Sequence, residues 1–310
     1  MTWLWILIIV LICVVAAIFV AGGIIAKIIV HGDRSTVEAS WNYVIEHAPA
    51  CSRFSRDQFT NYTLTGEDGY LYHVSCLPAK DPSSNRYMVL CHGYTDTRWG
   101  MLRYIQFYYE LNFHCIIFDQ RGHGENVLSP CRYSVKEAKS LLLVLKDAQT
   151  RYPGEKIFGI HGESLGGATV LRSLQYDLSQ YHVKFVVDDC GFCDIVPILK
   201  AGLKKEHHLP IMVYPASVMA KLMYGVSFTE ARPIRSVYGN KLPLLICHGE
   251  EDDFIPIWHS EKVQKATAGY CEFHRFPGTG HAFSAFVHPE EYLRTLESFI
   301  NKVLSEEILI

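Results

Sequence analysis

One stretch narrows the possible folds more than any other: Lys156-Ile157-Phe158-Gly159-Ile160-His161-Gly162-Glu163-Ser164-Leu165-Gly166-Gly167-Ala168. A mostly apolar run leads into Gly162-x-Ser164-x-Gly166, and Ala168, Val170 and Leu171 then open a helical pattern. The order is strand, sharp turn, helix. Such a tight turn pushes the serine backbone into a strained region, and the positions two away on either side must lack bulk for strand and helix to approach. Gly162 and Gly166 meet that demand. The expected result is a Ser164 hydroxyl standing above a sheet, with the free N–H groups of a helix N-terminus beneath it. Ordinary strand-to-helix turns also collect small residues, so the ends of later strands have to decide the reading.

Around this stretch the pattern alternates. Residues 59–65 and 70–77 read as two strands about the turn Gly66-Glu67-Asp68-Gly69, and 87–91 as a buried strand running into His92-Gly93-Tyr94. Helix is expected over 101–111, 134–152 and 165–176, with strands over 114–118, 156–161 and 183–188 between them. This alternation specifies a mostly parallel sheet flanked by helices. The rhythm breaks over 190–237, where Pro197, Pro210, Pro215 and Pro233 separate helical apolar patches. That segment is expected to be a small helical cap. Strand, helix, strand, helix resume over 242–247, 258–267, 271–276 and 290–304.

Chemistry in parallel sheets collects at the carboxyl ends of the strands. One late strand runs into His248-Gly249-Glu250-Glu251-Asp252-Asp253, the next into Gly278-Thr279-Gly280-His281. Serine, acid, histidine is the chain order that a strained serine turn requires for catalysis. A serine hydroxyl is a weak nucleophile at neutral pH, so His281 would take its proton and return it to a leaving group. A buried acid would hold the imidazole tautomer; Asp252 and Asp253 both fit by spacing. N–H donors for a developing oxyanion would come from Leu165, directly after the serine, and Tyr94, beyond His92-Gly93.

With these residues in view, the chain from about residue 59 onward resembles the α/β-hydrolase superfamily. The matching residues are His92-Gly93-Tyr94, Asp119-Gln120-Arg121-Gly122-His123-Gly124, Gly162-Glu163-Ser164-Leu165-Gly166, His248-Gly-x-x-Asp252-x-x-Ile-Pro256 and Gly280-His281. It is similar to membrane-anchored bacterial esterase and lysophospholipase-like members. The resemblance implies that Asp252 carries the acid role, and that the loop holding Asp119 and His123 is structural. It implies a reaction type without a substrate.

The N-terminus adds a second element. From Trp3 to Ala26 no residue carries a charge, enough at roughly 1.5 Å per residue for about 36 Å of helix, which crosses a bilayer core. No Lys or Arg precedes the run, its apolar core is longer than signal peptides use and no clear small-x-small site closes it, so an uncleaved anchor fits better than a signal peptide. Trp3 and Trp5 would mark one interface and Lys27 the other. Lys27 and Arg34 follow the span, which places the following domain in the cytoplasm by the positive-inside rule. Cysteine usage agrees: Cys91, Cys115 and Cys247 sit within apolar strand patterns, as small hydrophobes do.

The expected organisation is a transmembrane anchor over 1–30, a juxtamembrane helix and linker over 31–58 with Ser35 and Glu38 as a capping box, and an α/β-hydrolase domain over 59–310. The net charge of −3 and the lack of a basic stripe argue against nucleic acid as a partner. The expected activity is serine hydrolysis of carboxylic esters, including lipid or acyl esters and thioesters, with the membrane and a small-molecule or lipid ester as partners and no cofactor or metal. A peptidase or amidase of the same fold, or a catalytically silent binding module, would share these residues. Cys190-Gly191-Phe192-Cys193 has thiol–disulfide spacing but stands far from a thioredoxin-like order of elements.

Overall fold

The computed structural model describes residues 2–152 and 154–305, so residues 1, 153 and 306–310 of the expected ranges lie outside it. Helix α1 (Thr2–Val30) leads to α2 (Val37–His47), then to strands β1 (Thr60–Thr65), β2 (Leu71–Leu77) and β3 (Arg86–Cys91). There follow α3 (Leu102–Glu110), β4 (His114–Phe118), α4 (Glu137–Arg151), β5 (Ile157–Glu163), α5 (Leu165–Ser173) and β6 (Val183–Asp189). Three helices, α6 (Ile195–Lys205), α7 (Val213–Tyr224) and α8 (Ile234–Val237), fill the proline-punctuated segment. The chain closes with β7 (Leu244–Gly249), α9 (Trp258–Ala266), β8 (Cys271–Phe276), α10 (Ser284–Val287) and α11 (Pro289–Leu304).

The strands form one sheet in the order β1-β2-β4-β3-β5-β6-β7-β8, antiparallel at the first two pairings and parallel from β4 onward. This is the α/β-hydrolase fold. Each central strand is apolar on both faces because helices cover both. Met88 and Leu90 point into a core with α3 and α11, whereas Val89 and Cys91 point into one with α4 and α5. From β3 the chain runs outward to β4 and then returns past β3 to β5. The crevice at the carboxyl ends of β3 and β5 is therefore where such sheets bind ligands.

Helix α1 is long and apolar enough to cross a membrane. From Thr2 to Val20 its side chains are exposed, whereas Gly22, Gly23, Ala26 and Val30 are buried against the protein. The buried stretch lies on α7. A Cβ at Gly22 would come within 2.8 Å of the Pro215 carbonyl carbon, so only glycine permits this approach. Helix α2 packs on the hydrolase core, with Trp41 edge-on to Trp99 at 5.4 Å. Its cap is Thr36, whose hydroxyl accepts from the Ala39 N–H at 3.1 Å, and not the expected Ser35. The Ser35 N–H donates to the Thr95 carbonyl, which holds Ser35 in the connection and starts the helix one residue later.

Candidate active site

Ser164 occupies the turn between β5 and α5 with φ 54° and ψ −110°, a region L-residues seldom visit. Neighbouring contacts enforce it. The Ser164 N–H donates to the Asp189 carbonyl at 2.8 Å, while a Cβ at Gly162 would collide with the Gly166 carbonyl and one at Gly166 with that of Cys91. The local sequence thus has one way to join the central strand to its helix, and it lifts the hydroxyl out of the sheet.

The β8–α10 loop brings His281 to this hydroxyl, with Nε2 2.9 Å from Ser164 Oγ. Its Nδ1 lies 2.7 Å from Oδ2 of Asp252, delivered by the loop after β7. Asp252 is buried, whereas Glu250, Glu251 and Asp253 are exposed, so the sheet brings Asp252 and not Asp253 to the histidine. Burial alone would raise the Asp252 pKa. Hydrogen bonds from His248 and His281 and the N–H of Ile255 outweigh it and hold the carboxyl down at about 2. The Phe254 N–H also donates to Oδ1, at 3.0 Å. His248 is the residue the sequence left without a role: it approaches Asp252 Oδ2 at 3.2 Å and is itself held by the Ile255 carbonyl at 2.8 Å. The signal was its place at the end of β7, four positions before the acid.

Opposite the histidine, Tyr94 and Leu165 line the same cavity as Ser164. Among the described residues neither backbone N–H donates to a protein acceptor, which leaves both free for an oxyanion. His92 shapes this loop. Its Nε2 accepts from the Gln120 N–H at 2.9 Å, so Nδ1 carries the proton and donates to the Gly93 carbonyl at 2.7 Å. Burial lowers its pKa and keeps it neutral. Asp119 is buried beneath, accepting from the N–H groups of Arg98 and Glu125 and from the Arg98 guanidinium. His123, also buried, pairs with the Arg121 carbonyl. Both are loop supports.

Two cavities meet at Ser164. One, of about 510 Å³, is apolar: Ile25, Ile28 and Ile29 of α1 face Ile195, Ile198 and Leu199 of α6. The other, about 320 Å³, is polar and holds Ser40, Thr95, Asp96, Arg103 and Glu163. Arg103 is already tied to Asp96 at 3.0 Å and to Glu163 at 3.1 Å. A molecule laid across Ser164 would therefore have an apolar and a polar end to fill. The apolar wall from α1 was invisible in the sequence.

Cys190 comes within metal-ligand range of Asp252 and His281. A metal there would need the thiolate, and burial together with the carboxylates of Asp189 and Asp252 pushes this thiol well up. Burial also pushes Cys193 up to about 12, so this pair lacks the activated thiol that disulfide exchange requires.

Residues 88–295 match the model of the alpha/beta hydrolase family. The chain is 26% identical to the uncharacterized protein YqkD of Bacillus subtilis, over 81% of this chain and 82% of that one. It is 23% identical to the uncharacterized protein YfhR of Escherichia coli K12, over 79% and 81%. The structure is similar to esterase Pf2001 of Pyrococcus furiosus, with a TM-score of 0.66 at 20% identity over 87% of this chain and 97% of that one. It is also similar to Est1E of Butyrivibrio proteoclasticus, with a TM-score of 0.61 at 16% identity over 79% and 99%. Below 25% identity these structures speak for the fold alone. With the family match covering more than half of its length, the chain belongs to the alpha/beta hydrolase family.

Proposed function

We propose that this hydrolase cleaves carboxylic esters through an acyl-enzyme on Ser164. The observation that carries the reading is the unbroken relay from Ser164 Oγ through His281 to a buried, ionised Asp252. In the first step Oγ bonds to the ester carbonyl carbon while His281 Nε2 takes the hydroxyl proton. Asp252 stabilises the imidazolium, and the N–H groups of Tyr94 and Leu165 receive the oxyanion. The carbon–oxygen bond to the alcohol then breaks, and the alcohol leaves with the proton from His281. Water attacks the acyl-enzyme by the same route, releasing the acid and restoring the serine.

An ester is favoured over an amide by the apolar cavity beside Ser164, which suits an acyl chain better than a polar peptide backbone. Esterase Pf2001, whose fold this chain shares, supports the same direction. Helix α1 serves in this reading as a single-pass anchor, and Lys27 and Arg34 put the hydrolase domain in the cytoplasm. Protease protection in sealed vesicles tests that side. For the chemistry, a fluorophosphonate probe should label the wild type and leave Ser164→Ala unlabelled. A folded wild type that stays unlabelled refutes the nucleophile assignment.

A further inference from the structure

The apolar cavity is built by two helix stripes facing one another. Ile25, Ile28 and Ile29 recur at helical spacing on α1, and Ile195, Ile198, Leu199 and Gly202 do so on α6, with Ser164 and Leu165 at the inner end. One wall of a candidate binding site thus comes from the helix that leads back to the exposed apolar span.

This end of α1 is fixed rather than merely adjacent. Its Ile29 carbonyl accepts from two tyrosine hydroxyls, Tyr94 at 2.8 Å and Tyr133 at 2.7 Å, and its Val30 carbonyl accepts from the Cys131 N–H at 2.9 Å. Tyr94 also lines the cavity beside Ser164 and is an oxyanion donor in the ester-hydrolase reading, so the helix and the reacting end share a support. N-terminal to the stretch packed on α7, every described residue of the helix from Thr2 to Val20 is exposed. The exposed stretch Thr2–Val20 is about 28 Å long at roughly 1.5 Å per residue, close to the hydrocarbon thickness of a bilayer.

The cavity mouth lies on the same side. Its lining residues Ile28, Gly202, Glu206 and His208 are exposed, and the chain continues from there into exposed Leu209 and Ile211. Val218, Leu222 and Met223 of α7, the helix on which α1 lies, are exposed as well. Apolar surface of this kind beside a membrane span belongs in the interface.

We propose that α1 is a substrate-binding element as well as an anchor. A single-chain, membrane-resident acyl ester enters from the bilayer along α1, its chain lying between Ile25, Ile28 and Ile29 and the facing stripe of α6, its carbonyl at Ser164. The cavity of about 510 Å³ holds on the order of fifteen chain carbons if each takes roughly the 30 Å³ of a water. The proposal rests on the ester-hydrolase reading above.

The test uses the full-length protein in lipid nanodiscs with p-nitrophenyl acetate, butyrate, octanoate and dodecanoate. The ratio of kcat/KM for dodecanoate to that for acetate should exceed ten in the wild type. Ile28→Trp should lower that ratio at least tenfold, and Ile24→Trp, one turn earlier on the same helix and outside the cavity lining, should leave it unchanged. A long-chain fluorophosphonate with a diazirine at the chain end, applied to the wild type, should crosslink to the peptide spanning residues 25–32 or to α6. A flat chain-length profile, an unchanged ratio in Ile28→Trp, or crosslinks confined to other segments overturns the proposal while acetate turnover continues. Loss of acetate turnover and fluorophosphonate labelling in the wild type instead overturns the ester-hydrolase reading and this proposal with it.

Discussion

Replacing Gly202 with leucine should stabilise the protein and at the same time cost it activity toward long esters. Gly202 lies within α6 on the face toward the apolar cavity, and nothing stands within 4 Å of the place its Cβ would take. Its backbone is helical, so a side chain meets no strain. A glycine inside a helix costs roughly 0.5–1 kcal/mol, and recovering that should raise Tm by about 1–2 °C in a protein of this size. The four added carbons fill about 100 Å³ at roughly 25–30 Å³ each, about a fifth of the 510 Å³ cavity. Displacing three methylenes of a bound chain at about 0.8 kcal/mol each removes ~2.4 kcal/mol, or about 50-fold in kcat/KM. Differential scanning fluorimetry and the dodecanoate-to-acetate ratio read the two effects separately. A fall in Tm would show that Gly202 sits where a neighbour must pass. A ratio equal to that of the wild type would show that the chain lies elsewhere.

Asp252→Asn should retain the fold yet lose about 10³–10⁴-fold in kcat on acetate, because an amide at 2.7 Å from His281 Nδ1 no longer favours the tautomer that accepts the serine proton; a loss below tenfold sinks the assignment. Burial beside Asp189 raises the Asp188 carboxyl to about 8, so between the ordinary carboxylate range and that value the folded state holds a proton that the unfolded chain has released. Stability therefore falls as pH rises through that window, and Asp188→Asn should flatten the decline of Tm between pH 5 and 8; an unchanged slope refutes it. The polar cavity has its Arg103 already committed to Asp96 and Glu163, so an uncharged monoacylglycerol should be hydrolysed at least tenfold faster than a phosphate-bearing ester of the same chain. Equal kcat/KM values would contradict that. Arg103→Met strands two acidic neighbours, one of them fully buried, and should cost about 3–5 kcal/mol in urea denaturation; a cost under 1 kcal/mol would show the cluster to be neutral.

Most of what was legible in the sequence is local. Gly162 and Gly166 announce a steric requirement met within five residues, and the turn at Ser164 follows from it wherever the strand lies. The apolar run over 87–91 and helical spacing over 290–304 are likewise short-range patterns, and the strands and helices stand where those patterns put them. Asp252 was harder. Asp253 offers the same group one residue later, and only the fold of the β7 loop, tied by the Phe254 and Ile255 N–H groups, turns one carboxyl inward and leaves the other in water. The cap of α2 moved from Ser35 to Thr36 for a similar reason, a contact with Thr95 that lies sixty residues along the chain.

The N-terminal helix marks the boundary between the two kinds of information. By itself the sequence determined that this segment is helical and apolar on all sides, with no charge before Lys27 to set one face against another. Which residues would meet protein and which would stay exposed was decided by tertiary structure. Hydrophobic burial has no direction, so Ile24 and Ile28 read alike in a hydropathy pattern. The close passage of Gly22 over Pro215 and the two tyrosine hydroxyls on the Ile29 carbonyl select one rotation of the helix, and that rotation puts Ile28 at the mouth of the cavity that holds Ser164 and leaves Ile24 outside its lining.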